Sequence, residues 1–439
     1  MRKEAFSIQI YVVKRGDSLY TIANRYRTTV NEIVETNEIP NPNRLVVGQT
    51  IVIPIAGQFY EVRAGDTLAS IAARFNMSAA ELARINRMRP DAELPVGLLL
   101  YIPPGPKRNI EVNAYIEPRG NTVSAALQQA AREASPYLTY LGAFSFQVRR
   151  NGTLREPPLT GLKQIADRQN VTMMMIVTNL ENDAFSAELG KIILTDENVK
   201  NTLLNQIVIT ARRYGFRDIH FDFEYLRPQD REAYNQFLRE ARDRFRQEGW
   251  LISTALAPKT SATQAGQWYE AHDYRAHGQI VDFVVLMTYE WGYSEGPPMA
   301  VSPIGPVRNV IEYALTEMPA NKIVMGQNLY GYDWTLPYKP GGPPAKAISP
   351  QRAITIASEN NASILFDEEA QAPHFRYTDK AGKQHEVWFE DARSIQAKFN
   401  LIKELNLRGI SYWKLGLSFP QNWLLIADQF NIVKETFPR

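Results

Sequence analysis

The chain has 439 residues, 44% of them hydrophobic, with 49 Lys and Arg against 47 Asp and Glu and no cysteine. That length predicts roughly two or three domains, and the even charge disfavours nucleic acid or an anionic membrane as the main partner, since both call for a basic surface. The missing cysteines remove disulfides, thiolate metal sites and a cysteine nucleophile together, and no apolar run reaches the ~20 residues that span a bilayer.

The chain opens MRKEAFSIQIYVV, two basic residues followed by a short apolar stretch. A small-residue cleavage site of the usual kind is missing, and IQIYVV reads better as the first strand of a repeat. The expectation is a soluble protein made without a cleaved signal.

YVVKRGDSLYTIANRY from Tyr11 and YEVRAGDTLASIAARF from Tyr60 are copies of one unit at an offset of 49, which also pairs Gly16 with Gly65, Asn37 with Asn86, Gly48 with Gly97 and Pro54 with Pro103. Apolar residues at 19, 22, 23 and 26, and at 68, 71, 72 and 75, form a helical stripe, with Asp17 or Asp66 placed to cap it. T-V-N-E at 29–32 and S-A-A-E at 78–81 open a second helix as capping boxes. Short apolar runs at 50–53 and 99–102 then return as strands, so each unit is strand-helix-helix-strand. PPGPKRN at 103–109 can continue neither a sheet nor a helix and predicts a short, stiff linker.

The opening Y-x-V-x-x-G-D-T/S-L-x-x-I-A and the G-Q-x-I-V-I-P close of the first copy resemble the LysM module; the second copy departs at its end, where Leu98 stands in place of Gln. The resemblance implies binding to the N-acetylglucosamine face of peptidoglycan or chitin. The boundaries expected are 8–55 and 58–104 for the two modules and 108–439 for the rest.

From 110 onward, short apolar runs alternate with amphipathic stretches. Strands are predicted at 110–116, 137–146, 171–178, 216–225, 250–257, 281–289, 322–330 and 409–416, with helices such as 228–247 between them. Eight strand–helix units predict an α/β fold, a (β/α)8 TIM barrel, interrupted by an insertion around 337–389 between the seventh and eighth strands. Chemistry in such a barrel lies at the C-terminal ends of its strands, which places Asp222, Glu224, Tyr289 and Trp413 at one mouth. In FRDIHFDFEY, His220, Asp222 and Glu224 alternate with Phe221 and Phe223, so the polar groups share one face.

These residues resemble glycoside hydrolase family 18 across nearly all of 110–435. The D-x-x-D-x-D-x-E strand of that family aligns on Arg217, His220, Asp222 and Glu224, LMTYEWG (286–292) matches its M-x-Y-D segment, and GISYWKLG its tryptophan strand. With two LysM copies, the chain is most similar to the cortex-lytic N-acetylglucosaminidases of bacterial spores. Arg217 and His220 depart from the aspartates common there, and Glu290 replaces the Asp after the tyrosine.

The resemblance implies a hydrolase that cleaves β-1,4 bonds after N-acetylglucosamine, with the substrate's 2-acetamido oxygen as nucleophile. Glu224 is then the general acid and base, Asp222 steadies the oxazolinium ion, Tyr289 holds the acetamido carbonyl, and Trp413 lies under the sugar. Burial and the Asp222 charge are expected to raise the pKa of Glu224. His220 is either a buried histidine below Asp222 or the replacement for the missing aspartate; Glu290, Trp291, Asn328 and Tyr330 are substrate contacts or core residues. Five scattered histidines predict no metal, and no cofactor is expected. The alternatives are a chitinase, a glycan-binding lectin and a coat or scaffold protein; Glu224 argues against the lectin. The expected partner is peptidoglycan or cortical fragments, with no nucleic acid, no membrane insertion and no sequence signal for an oligomer. The expected location is the outer spore layers, at the coat–cortex boundary.

Overall fold

A computed structural model describes residues 8–434. The stretch MRKEAFS, on which the expectation of no cleaved signal rests, lies outside the described residues. In the first repeat, strand Ile10–Val12 pairs antiparallel with Thr50–Val52 around helices Leu19–Tyr26 and Val30–Asn37. The second repeats this with Gln58–Glu61, Leu99–Ile102 and helices Leu68–Arg74 and Ala79–Ile85. The predicted stripe is the buried face: Leu19, Ile22, Ala23 and Tyr26, then Leu68, Ile71 and Ala72. The helix caps, however, are Ser18 and Thr67, one residue later than read. Asp17 instead accepts from Tyr11 Oη and from the Lys14 N–H, each at 2.7 Å, and Asp66 does the same with Tyr60 and Arg63. The tight turn before the helix has its own unpaired N–H to satisfy, and that is why Tyr and Asp recur together in both copies.

The eight strands of the large domain are β1 (Arg108–Ile116), β2 (Tyr140–Val148), β3 (Thr172–Thr178), β4 (Asp218–Asp222), β5 (Leu251–Leu256), β6 (Phe283–Leu286), β7 (Ile323–Asn328) and β8 (Gly409–Trp413). Each pairs in parallel with the next, and β8 pairs with β1, so the sheet closes and leaves no edge. Inside, Tyr140, Met174, Ile176, Phe283, Val285 and Val324 fill the barrel; outside, the other strand face packs under the helices. The strands are shorter than predicted at the mouth: β4 stops at Asp222 and β6 at Leu286. Pairing ends where the chain turns into the loops that build the site.

The insertion starts at Gly331, directly after β7, not near Pro337. Strands Gly331–Thr335, Lys346–Ile348, Leu365–Asp367, Ala372–Thr378 and Gln384–Trp388 form a five-stranded antiparallel sheet, with helix Pro350–Glu359 alongside. A Cβ on Gly331 would lie 2.3 Å from the Trp388 carbonyl oxygen, so only glycine fits where the insertion enters and leaves.

The first repeat is not a loose appendage. Val52 joins the barrel core and Val46 joins the core of the insertion. Gln421, buried on the last barrel helix, donates to Asn37 Oδ1 (3.0 Å) and the Thr50 carbonyl (2.8 Å) and accepts from Thr50 Oγ1 (3.0 Å). Gln351 of the insertion donates to the carbonyls of Asn37 and Glu38, and the Ile364 N–H donates to the Val47 carbonyl at 2.8 Å. In the second repeat Pro95 and Val96, which match Val46 and Val47, are exposed.

Candidate active site

β4 delivers Asp222 at its C-terminal end. Ile219 and Phe221 pack outward into the helix layer, so Asp218, His220 and Asp222 point inward. Glu224 lies two residues past the strand. Its backbone is held by Asn179, just beyond β3, whose Oδ1 accepts the Glu224 N–H at 3.0 Å and whose Nδ2 donates to the Glu224 carbonyl at 2.9 Å.

The Asp222 and Glu224 carboxyls stand close enough for each to act on the other's ionisation. Burial, and after it the Asp222 charge, pushes Glu224 well above the usual carboxylate range. Burial also raises Asp222, while the neighbouring Glu224 carboxyl works in the opposite direction. Glu224 is therefore the member held protonated, and the pair titrates as a unit. Among the described residues no protein group bonds the buried Oδ1 of Asp222.

His220 does not bond Asp222. Its Nε2 lies 3.0 Å from Tyr115 Oη and its Nδ1 2.8 Å from Ser253 Oγ. Ser253 Oγ in turn lies 3.0 and 2.9 Å from the two carboxyl oxygens of Asp218. Burial lowers His220 to about 3, so the ring is neutral, and burial raises Asp218 to about 8.

Trp413, at the end of β8, meets Phe144 edge-on at 4.8 Å and Tyr115 at 5.5 Å between ring centroids. Tyr289 packs against Gly326 of β7, where a Cβ would lie 2.9 Å from its ring, and the charges of Asp222 and Glu224 both act on its hydroxyl. Glu290, at φ 66°, is exposed and accepts from Tyr330 Oη and, at 3.1 Å, from Tyr332 Oη. Asn328 is fully buried and its amide is spent internally, on the Tyr330 carbonyl and Gln327. Trp291 is half-buried against the outer core. The fold thus gathers Asp222, Glu224, Tyr289 and Trp413 with His220 beneath, sets Glu290 and Tyr330 on the insertion side, and leaves Asn328 and Trp291 behind them.

Tyr115, Asp218, Ser253, Asn179 and Phe144 were not read from the sequence. Asp218 and Tyr115 had a signal, the first in the same alternation as His220 and Asp222, the second at a strand end like Tyr289. Ser253 and Asn179 had none, because they matter only through contacts between neighbouring strands. A groove of about 770 Å³ is lined by Trp413 and Phe144 together with Glu117, Arg119, Arg155 and Asp183, a polar and charged wall. Among the described residues no cluster of three or more His, Cys, Asp or Glu could hold a metal ion, and no helix is long and apolar enough to cross a membrane.

This chain belongs to the glycosyl hydrolases family 18, whose model matches residues 115–417, and it is a glycosidase by that membership; the LysM domain model matches 11–54 and 60–103. It is 82% identical over 430 residues to the cortical fragment-lytic enzyme of Bacillus subtilis (strain 168), covering 98% of this chain and all of that one. The protein of the same name from Bacillus anthracis is 55% identical, again over 98% of this chain and all of its own length. The crystal structure of the Bacillus megaterium QM B1551 spore cortex-lytic enzyme SleL, 55% identical, superposes with a TM-score of 0.92 over 99% of this chain and 100% of that one.

Proposed function

We propose that the protein is an N-acetylglucosaminidase that cleaves β-1,4 bonds after N-acetylglucosamine in spore-cortex peptidoglycan, degrading cortex fragments during germination. The observation that carries the reading is the pair of buried carboxyls, Asp222 and Glu224, at the barrel mouth, with Glu224 held protonated and Asp222 Oδ1 left without a bond. An ordinary retaining glycosidase sets its two carboxyls about 5 Å apart so that one can attack the sugar. Here both carboxyls come from one strand end and act on each other's ionisation, and the unbonded Asp222 Oδ1 can receive an acetamido N–H, which favours attack by the substrate's own acetamido oxygen.

In this mechanism Glu224 gives its proton to the glycosidic oxygen as the bond to the leaving sugar breaks. Asp222 turns its unbonded Oδ1 to the acetamido N–H and steadies the positive oxazolinium ring. Tyr289 donates to the acetamido carbonyl and keeps it in line with the anomeric carbon, and Trp413 forms the apolar floor. Glu224 then takes a proton from water, which opens the ring with retention. The LysM pair holds the enzyme on the glycan, and the identity to cortical fragment-lytic relatives supports cortex as that glycan and association with the spore wall, in its outer layers, as the setting.

The test is mass spectrometry of products from spore-cortex fragments and from chito-oligosaccharides, with Glu224→Gln alongside. New reducing N-acetylglucosamine ends from cortex, absent with the variant, are expected. Products from chito-oligosaccharides alone would move the substrate to chitin, and none from either would leave a glycan-binding barrel.

A further inference from the structure

The proton transfer described above uses neither Asp218 nor Ser253, yet both are fully buried and bonded in series to the site. From the barrel floor upward the chain runs Asp218 on β4, Ser253 on β5, His220 on β4 and Tyr115 on β1, with links of 2.9, 2.8 and 3.0 Å. None of the four is more than 3% exposed, so water does not compete for the links. Each member, when uncharged, is at once a donor and an acceptor: a carboxylic acid, a hydroxyl, a neutral imidazole and a phenol. Such a chain has two complete arrangements and no third without a broken bond.

We propose that Asp218, Ser253, His220 and Tyr115 act as one reversible hydrogen-bond relay, through which the proton on Asp218 sets whether Tyr115 turns its hydroxyl hydrogen toward Asp222 or away from it. The inference rests on the catalytic reading of Asp222 given above and makes Asp218 a positioning residue. With Asp218 protonated, its O–H donates to Ser253, Ser253 donates to His220 Nδ1, and His220 Nε2–H donates to Tyr115, whose own hydrogen faces the carboxyl pair. With Asp218 ionised, every bond is reversed, and Tyr115 donates down to Nε2.

Conversion moves each hydrogen one place. The Asp218 O–H bond breaks as a new Ser253 O–H forms, the serine's former hydrogen goes to Nδ1, the Nε2 hydrogen goes to Tyr115, and the tyrosine's former hydrogen leaves at the barrel mouth to the solvent base that the rising pH supplies. One proton is transferred, the imidazole stays neutral, and only its tautomer changes. Ser411, which accepts from Asn113 at 2.7 Å, also acts on the Tyr115 hydroxyl from β8.

The groups facing Asp218 from the surrounding strands are Ser253, Asp282, Arg408 and Glu111; burial is the largest influence and raises it to about 8. The groups acting on Tyr115 are Asp222, Ser411, Asp218 and Glu224, together with His220. A histidine, unlike an aspartate, can stand under a carboxylate without adding a second negative charge, and it still passes the signal on.

The direct test is the tautomer of His220, read by 15N NMR on the full-length protein labelled at histidine and assigned with His220→Gln. The expected result is an Nε2–H tautomer at pH 6 that converts to Nδ1–H by about pH 9.5, and no conversion in Asp218→Asn. A tautomer that does not change with pH in the wild type, or that titrates equally in Asp218→Asn, overturns the relay. On substrate, Ser253→Ala is expected to lower kcat at least ~10-fold, the scale of a lost positioning contact, with KM changed less than about 3-fold. Asp218→Asn is expected to erase the corresponding inflection in the kcat–pH profile. Ser253→Thr, which keeps the hydroxyl, restores kcat if the relay holds; equal loss in both serine variants overturns it. The NMR readout needs no substrate, so a wild type inactive on every glycan would sink the enzymatic reading and leave the relay standing.

Discussion

Replacing Gln421 by alanine tests whether the first repeat is part of the catalytic body. The side chain is 3% exposed and bonds Asn37 Oδ1, the Thr50 carbonyl and Thr50 Oγ1. Asn37 Oδ1 keeps the Val52 N–H at 2.8 Å, so it loses one of two bonds, whereas Thr50 Oγ1, also buried, loses its acceptor. One buried group left unsatisfied costs ~1–3 kcal/mol and each of two weakened bonds ~0.5–1 kcal/mol, about 3 kcal/mol together. If the repeat, barrel and insertion unfold as one unit of roughly 380 residues, the unfolding entropy near the midpoint is ~0.8 kcal/mol/K, and the variant should melt about 4 °C lower in a single transition. Scanning calorimetry reads this directly. A main transition in the variant that stays within 1 °C of wild type, or a separate small transition that moves with the Gln421 substitution while the main one does not, would refute the reasoning.

Glycosidase activity should be kept while Glu224 is protonated and lost as the pH rises through its raised pKa, giving a basic limb in kcat/KM that lies above the ordinary carboxylate range; a profile flat from pH 4 to 9 contradicts this. Gly326→Ala places a Cβ 2.4 Å from the Leu286 carbonyl and 2.9 Å from the Tyr289 ring, and should lower kcat by ~10²-fold through displaced geometry while the far-UV circular dichroism is kept. His277 is fully buried, and burial lowers it to about 3 from an unfolded value of ~6.5. The native state therefore binds fewer protons than the unfolded one in that window, so this stability is present above pH 6.5 and is lost by about 1.4 kcal/mol per pH unit as the pH falls toward 3. In His277→Gln, urea denaturation between pH 6.5 and 4 should show a shallower decline by that amount, and an unchanged slope would count against it.

The alternation in β4 shows how far local reading went. Period two puts His220 and Asp222 on one face and extends back to Asp218, whereas the family motif's first aspartate position falls on Arg217, one residue out of that alternation. Glu224 reached its partner even though the strand had ended, since Asn179 fixes its backbone from the neighbouring loop.

By itself the sequence determined the repeat, the eight strand–helix units and the mouth at which Asp222, Glu224, Tyr289 and Trp413 meet. These are consequences of periodicity, capping and chain order, which act over a few residues and repeat along the chain. Only the tertiary structure decided which atoms touch: that His220 serves Tyr115 and Ser253 rather than Asp222, that Asn328 is consumed by its own loop, and that Val46 and Val52 bind the first repeat to the insertion and the barrel. Those outcomes depend on burial and on distances between strands far apart in the chain, where a difference of 1 Å separates a hydrogen bond from none.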